Sequence, residues 1–288
     1  MKKYPLKAFS LIEISVVIVI IGILIAGISS GVDLFYDFKL STARSLTKNS
    51  PVPRIEGLFT WIETTSLESF SPAPKDGASI DLIKDLSFKM DKANFVQTGV
   101  DGLKPIYKQG NLNNLPALYF DGSNDFLVSE KSYTSSIFSN NQVTIFAVIN
   151  YLGSTNTVVF LKHELAPYRT GLEINSGMVR FDFPKNISNG TSNITGTSSI
   201  INKNIIITAI ANNINQKLYI NSNLEASISN AIATPSISSA LIYLGSHNEG
   251  VLCTKFNLGE LIIYDRALSA KELDSVTKYL SKKWGIKI

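Results

Sequence analysis

Cysteine is almost absent from this chain. Cys253 is alone in 288 residues, so no internal disulfide can form. A lone cysteine in such a chain reads as a small, buried apolar residue. Histidine is nearly as scarce. His163 and His247 stand far apart, no HExxH or GxSxG motif occurs, and no Cys/His cluster has metal-ligand spacing. Unbalanced charge is missing too. The formal net charge is +4, but Lys2, Lys3 and Lys7 precede the first apolar run, and beyond them 24 basic side chains face 23 acidic ones. That balance leaves no electrostatic footprint for nucleic acid, so no nucleic-acid partner is expected.

One stretch lacks charge almost entirely. From Phe9 to Ile28 the chain reads FSLIEISVVIVIIGILIAGI, with Glu13 its single charge. At about 1.5 Å per residue such a run reaches about 30 Å, the hydrocarbon thickness of a bilayer. The lysines before it hold the N-terminus in the cytoplasm and send the rest across. A carboxylate inside a membrane segment costs about 3 kcal/mol, so Glu13 needs a partner. Gly22 with Ala26 and Gly27 with Gly31 are small residues at four-residue spacing, which allows close helix approach in lipid. Ser29, Ser30 and Gly31 follow the run without an A-x-A cleavage site; the telling small residue, Ala8, precedes it.

Lys7-Ala8-Phe9-Ser10-Leu11-Ile12-Glu13, followed by the apolar run, resembles the class III signal of type IV pilins and of the pilin-like subunits of type II secretion systems. The resemblance implies an 8-residue leader. A prepilin peptidase would cut between Ala8 and Phe9, Phe9 would be N-methylated, and Glu13 would serve filament assembly by meeting a neighbouring subunit's N-terminus. The family usually carries Gly where Ala8 stands. Glu13 supports this independently, because pairing with a terminal ammonium offsets the desolvation of both charges.

The helical pattern continues past Ile28 through Val32, Leu34, Phe35, Phe38 and Leu40, giving a helix from Phe9 to about Ser45, half anchor and half stalk. Pro51 and Pro53 mark a linker over 46–56. From Gly57 the texture turns to short β-rich runs separated by Gly, Asn, Ser and Asp. Candidate strands are Leu58–Ile62, Ala117–Phe120, Phe126–Val128, Val143–Tyr151, Thr157–Leu161, Gly171–Ile174, Met178–Phe183, Ile205–Asn212, Lys217–Ile220, Leu224–Ser229, Leu241–Leu244 and Leu258–Tyr264. Ile220 to Asn223 reads as a hairpin turn. Asn186 to Ser199 reads as a polar loop; its N-x-S/T triplets at Asn186, Asn189 and Asn193 reflect composition. The chain ends in a helix. Ser269 and Glu272 form a capping box, and Leu273, Val276, Leu280 and Trp284 share one face. The fold class is therefore mainly β: a long N-terminal transmembrane and stalk helix, then an antiparallel β-sandwich with a C-terminal helix.

Three pieces of the head, Gly110 to Val128, Lys217 to Ser227 and Leu258 to Ile286, together resemble concanavalin A-like, laminin G-like sandwich domains of bacterial surface proteins. Leu58 to Phe70 is similar to their opening strand, with WIET where WLDA is usual. The resemblance covers 57–288 and implies two antiparallel sheets of jelly-roll type and binding of a carbohydrate or protein ligand. Relatives often hold calcium at the sandwich rim. Asp121, Asn124 and Asp125, in FDGSND, suit a hard cation, and they equally suit a plain tight turn. Tyr133, Tyr151 and Tyr168 lie in or near expected loops, where an aromatic can stack on a sugar.

Glycosidases on this fold use two carboxylates on alternate positions of one strand, about 5–5.5 Å apart for retention. The only Asp/Glu pair at i and i+2 is Glu272 with Asp274, in the C-terminal helix, where such residues do not share a face. No catalytic activity is expected. The sequence thus reads as a minor or tip pilin-like subunit presenting a lectin-like head for adhesion. Its partners are other pilin-like subunits, the prepilin peptidase and a glycan or surface protein. It would sit in the bacterial inner membrane with the head in the periplasm, then on the pilus or cell surface. The alternatives are a secretion-system pseudopilin and a membrane-anchored carbohydrate-active enzyme, against which the missing carboxylate pair argues.

Overall fold

The computed structural model describes residues 10–288, except 89–91, 93, 133–141, 154–157, 166–167, 186–189, 230–240 and 248. Ala8, Phe9, Tyr133, Asn186 and Asn189 lie outside the described residues. Helix α1 runs Leu11–Lys48 and helix α2 Ala270–Trp284. Between them come β1 (Leu58–Glu63), β2 (Leu82–Ile83), β3 (Phe95–Val96), β4 (Ile106–Leu112), β5 (Leu115–Asp121), β6 (Leu127–Ser129), β7 (Val143–Tyr151) and β8 (Val158–Leu165). There follow β9 (Tyr168–Asn175), β10 (Met178–Lys185), β11 (Gly190–Thr195), β12 (Asn204–Ala211), β13 (Asn215–Ile220), β14 (Asn223–Ser229), β15 (Ile242–Leu244) and β16 (Lys255–Tyr264).

Two antiparallel sheets form. The first has the order β14-β13-β12-β7-β16-β5-β4, with β1 also paired to β16; the second has the order β11-β10-β9-β8-β15-β6-β3-β2. β16 keeps β7 along one edge and divides its other edge between β5, near Lys255, and β1, near Tyr264. Alternation sorts its side chains. Leu258, Leu261 and Ile263 join the core between the sheets, with Phe120, Ile145, Phe181 and Leu244. Ile262 and Tyr264 point to the outer face of the first sheet, where a second core forms with Trp61, Phe146, Ile206, Val276, Leu280 and Trp284. A strand buried on both faces reads as a continuous apolar run, which is why β7 and β16 were plain from sequence.

α2 covers that outer face. Its capping box forms as expected, and Val276, Leu280 and Trp284 are fully buried. Gly285 closes the helix in the left-handed region at φ 62°, the residue best suited to that cap. Each buried apolar side chain contributes about 1.5–3 kcal/mol. The outer face of β13 and β14 lies beyond α2: Leu224 is 55% exposed.

Every candidate strand is present, with ends shifted by a few residues. Four strands were not foreseen. β2 and β3 are two-residue pairings, too short to show a period. β4 is an edge strand whose Gln109, Gly110 and Asn111 are exposed. The expected polar loop over Asn186–Ser199 is corrected: Gly190–Thr195 is β11, in register with β10. As an edge strand it needs few apolar residues, and polarity disguised it. The Asn221–Ser222 turn is as expected, both residues at positive φ, 49° and 69°.

α1 is capped by Ser10 and runs from Leu11 to Lys48, three residues past its expected end. Among the described residues, no helix is long and apolar enough to cross a membrane. The expected transmembrane helix is therefore corrected to a long helix with an exposed apolar first half.

Candidate functional site

Ser10 caps α1. Its hydroxyl accepts the Ile12 amide at 3.3 Å, and the Glu13 carboxylate accepts the Ser10 amide at 2.8 Å. Glu13 thus sits in the first turn, where a negative charge suits the helix dipole. Around it Leu11, Ile12, Ile18, Ile23 and Ile25 are 60–84% exposed. The exposed apolar side chains face every side of the helix from Leu11 to Ile25.

The last turns of α1 are docked on the head. Leu40, Ala43 and Thr47 are buried. Lys39 donates to the Asn113 carbonyl at 3.1 Å, and Arg44 Nε to the Thr65 carbonyl at 2.9 Å. Next to this joint lies a polar cluster sealed from solvent. Lys283 Nζ donates to Glu63 and, at 2.9 Å, to Glu260. Glu260 also accepts from Trp61 Nε1 at 2.8 Å, Trp284 Nε1 at 2.9 Å and the Tyr279 hydroxyl at 2.9 Å. Glu63 accepts the amide and hydroxyl of Thr65 and the amide of Ser66. All three charged side chains are fully buried. Burial and the two carboxylates push the Tyr279 phenol well above its usual range. Full enclosure makes this a structural clamp, joining β1, β16 and α2 beside α1. Sequence reading missed it because its members lie up to 220 positions apart.

At the rim, Asp121 Oδ1 accepts the Ser123 amide at 2.7 Å and the Asn124 amide at 3.4 Å, while Asp125 Oδ2 accepts the Asp121 amide at 2.8 Å. Asp125 is 4% exposed, and burial, chiefly, raises its carboxyl to about 6. Gly122, at φ 79°, lies against the backbone of Lys255. Asp121, Asn124 and Asp125 are therefore brought together by one turn, which their own oxygens help to shape. Among the described residues no three His, Cys, Asp or Glu side chains are placed to hold a metal ion. Calcium takes 6–8 oxygens, and these side chains alone do not complete such a set. Cys253 is buried nearby as expected, its thiol pushed up to about 11 by burial and by Asp121 and Asp125.

Tyr151 is buried in the inter-sheet core, and Tyr168 opens β9. On the outer face of the second sheet, Arg180 of β10 donates to Asp182 at 2.8 Å and lies 3.4 Å from Glu173 of β9. Glu173 is directly opposite Arg180 in the ladder. Two carboxylates here share one guanidinium across neighbouring strands. A search along single strands could not find them.

No family model matches the chain, and no characterised protein sequence matches it. Solved structures do. A Trypanosoma rangeli sialidase, in complex with 2,3-difluorosialic acid, matches with a TM-score of 0.53 at 15% identity, over 80% of this chain and 33% of that one. The binding domain of Paraclostridial Mosquitocidal Protein 1 matches at 0.53 and 18%, over 79% and 52%. The botulinum neurotoxin serotype D binding domain matches at 0.53 and 14%, over 77% and 51%. At these identities the likeness shows a fold alone, a β-sandwich. The chain spans a third of the sialidase and about half of each toxin domain.

One expectation is thereby corrected. The sequence predicts no catalytic activity, but a part of solved sialidases, about a third of the chain in two of them, has the head's fold, so the fold by itself does not exclude an enzyme. The argument from a missing i, i+2 carboxylate pair fails as well, since cross-strand acids such as Glu173 and Asp182 lie outside its reach.

Proposed function

We propose that the chain is a minor or tip subunit of a type IV pilus-type filament, with a lectin-like head presented for adhesion. One observation carries the reading: a single helix whose first half exposes apolar side chains on every side is continuous with a second half docked on a β-sandwich. The exposed half is the part that would enter the inner membrane and then pack among other subunits. The docked half would fix the head to that helix. Cleavage between Ala8 and Phe9, methylation of Phe9 and an assembly role for Glu13 follow from the resemblance of that segment. In a filament the Glu13 carboxylate would exchange the Ser10 amide for a neighbour's terminal ammonium. The head's bulk hinders dense packing along a filament, which favours a minor or tip position. Toxin binding domains among the similar folds support a binding role for the head, with a glycan or surface protein as its ligand.

The first test is the N-terminal mass of the mature protein from its native host. A terminus at methylated Phe9 is expected. An intact Met1, or a cut near Ser30, would overturn the pilin-like reading and leave a tethered or secreted sandwich domain. The second test is a glycan array, run with a reporter of glycosidic hydrolysis because a sialidase is among the proteins that share part of this fold.

A further inference from the structure

Resting on the glycan-binding reading of the head, we propose that the notch between α2 and the uncovered end of the first sheet binds one uncharged sugar ring. β12 and β13 pair with Thr208 opposite Tyr219. Thr208 shares its face with Ile206, part of the outer core under α2. α2 ends its cover at Leu273, leaving a pocket of about 220 Å³ lined by Thr208, Tyr219, Ser222, Leu273, Asp274 and Thr277, with Ile210 and Ala270 completing it. Pockets for drug-sized ligands span about 300–1,000 Å³, so this one suits a single ring.

The polar groups give the second observation. Thr208 is 5% and Thr277 7% exposed, and both line the pocket. Neither hydroxyl hydrogen-bonds to any described residue, and the same holds for Tyr219 and Ser222. Four hydroxyls, two on buried threonines, one on half-buried Tyr219 and one on exposed Ser222, open on one pocket with none engaged by the protein, so each is free to bond a ligand. Asp274 adds a carboxylate, held by Lys278 at 2.8 Å in an exposed pair that constrains it little.

This set matches the chemistry of a sugar. A pyranose offers an apolar C–H face, which the Tyr219 ring and the Leu273 and Ile210 side chains can take. It also offers a rim of hydroxyls, which Thr208, Ser222, Thr277 and Asp274 can bond. An acidic sugar fits poorly, because Asp274 would repel its carboxylate and no arginine lines the pocket. The pocket therefore selects a neutral ring over sialic acid.

The test uses the full-length protein in detergent, titrated with a panel of neutral methyl hexosides and with N-acetylneuraminic acid. A neutral hexoside is expected to bind. Thr208→Val and Thr277→Val, which keep the shape and remove a hydroxyl, should each weaken it about tenfold. Tyr219→Ala should abolish it, with melting temperatures of the valine variants unchanged. Wild-type affinity in all three variants would place any glycan site elsewhere and overturn the pocket while leaving the lectin reading intact. Binding of N-acetylneuraminic acid alone would overturn the neutral selectivity. No binding here and none on the glycan array would overturn both.

Discussion

Glu63 and Glu260 stand directly opposite each other across the β1–β16 ladder, both without solvent, and Lys283 from α2 donates to both. Two facing carboxylates in an apolar layer repel. The ammonium between them, with two indoles, a phenol, a hydroxyl and two amides, makes the arrangement tolerable. Trp61 and Trp284 are thereby tied to one acid from two different elements, so the first strand and the last helix are locked in a single register.

Lys283→Met should destabilise the head by about 3–5 kcal/mol, because it leaves two buried carboxylates without their cation. Lys278→Met on the same helix breaks only the exposed pair with Asp274 and should cost less than about 1 kcal/mol. Urea denaturation of both variants measures the contrast. Similar losses would show that the buried cluster is no clamp.

Asp125 gives a pH dependence of known sign. Its folded pKa, about 6, lies above its ordinary value of 3.8, because burial favours the neutral acid. The folded state therefore holds the proton more tightly. This contribution is complete below about pH 4 and is lost as pH rises through 6. Thermal unfolding between pH 4 and 7 should show the decline, and Asp125→Asn should remove it while keeping an oxygen for the Asp121 amide. A decline of the same size in the variant would assign it to another group.

Gly259 tests the seat of Trp284. A Cβ there would meet the indole ring at 2.7 Å, where the β16–β7 ladder shifts register. Gly259→Ala should cost about 1–3 kcal/mol by overpacking. It should also shift tryptophan fluorescence to longer wavelength, as the indole leaves Glu260 and gains water. Unchanged emission with unchanged stability would mean that the ring has room to spare.

Local chemistry was legible where one residue's neighbours in sequence are also its neighbours in space. The capping box at Ser269, the apolar face of α2, the hairpin turn at Asn221 and Ser222 and the doubly buried β7 and β16 all follow from periods and turn preferences along a few residues. The apolar run after Phe9 and the stray Glu13 are equally local. Other features arose only when distant segments met. β11 is a strand because β10 lies beside it, since its own composition reads as loop. The Glu63–Lys283–Glu260 clamp needs β1, β16 and α2 in place, and the four unengaged hydroxyls share a pocket only because α2 stops short of β13. Burial, electrostatic pairing and cavity shape depend on three-dimensional neighbours, and no period along the chain encodes those.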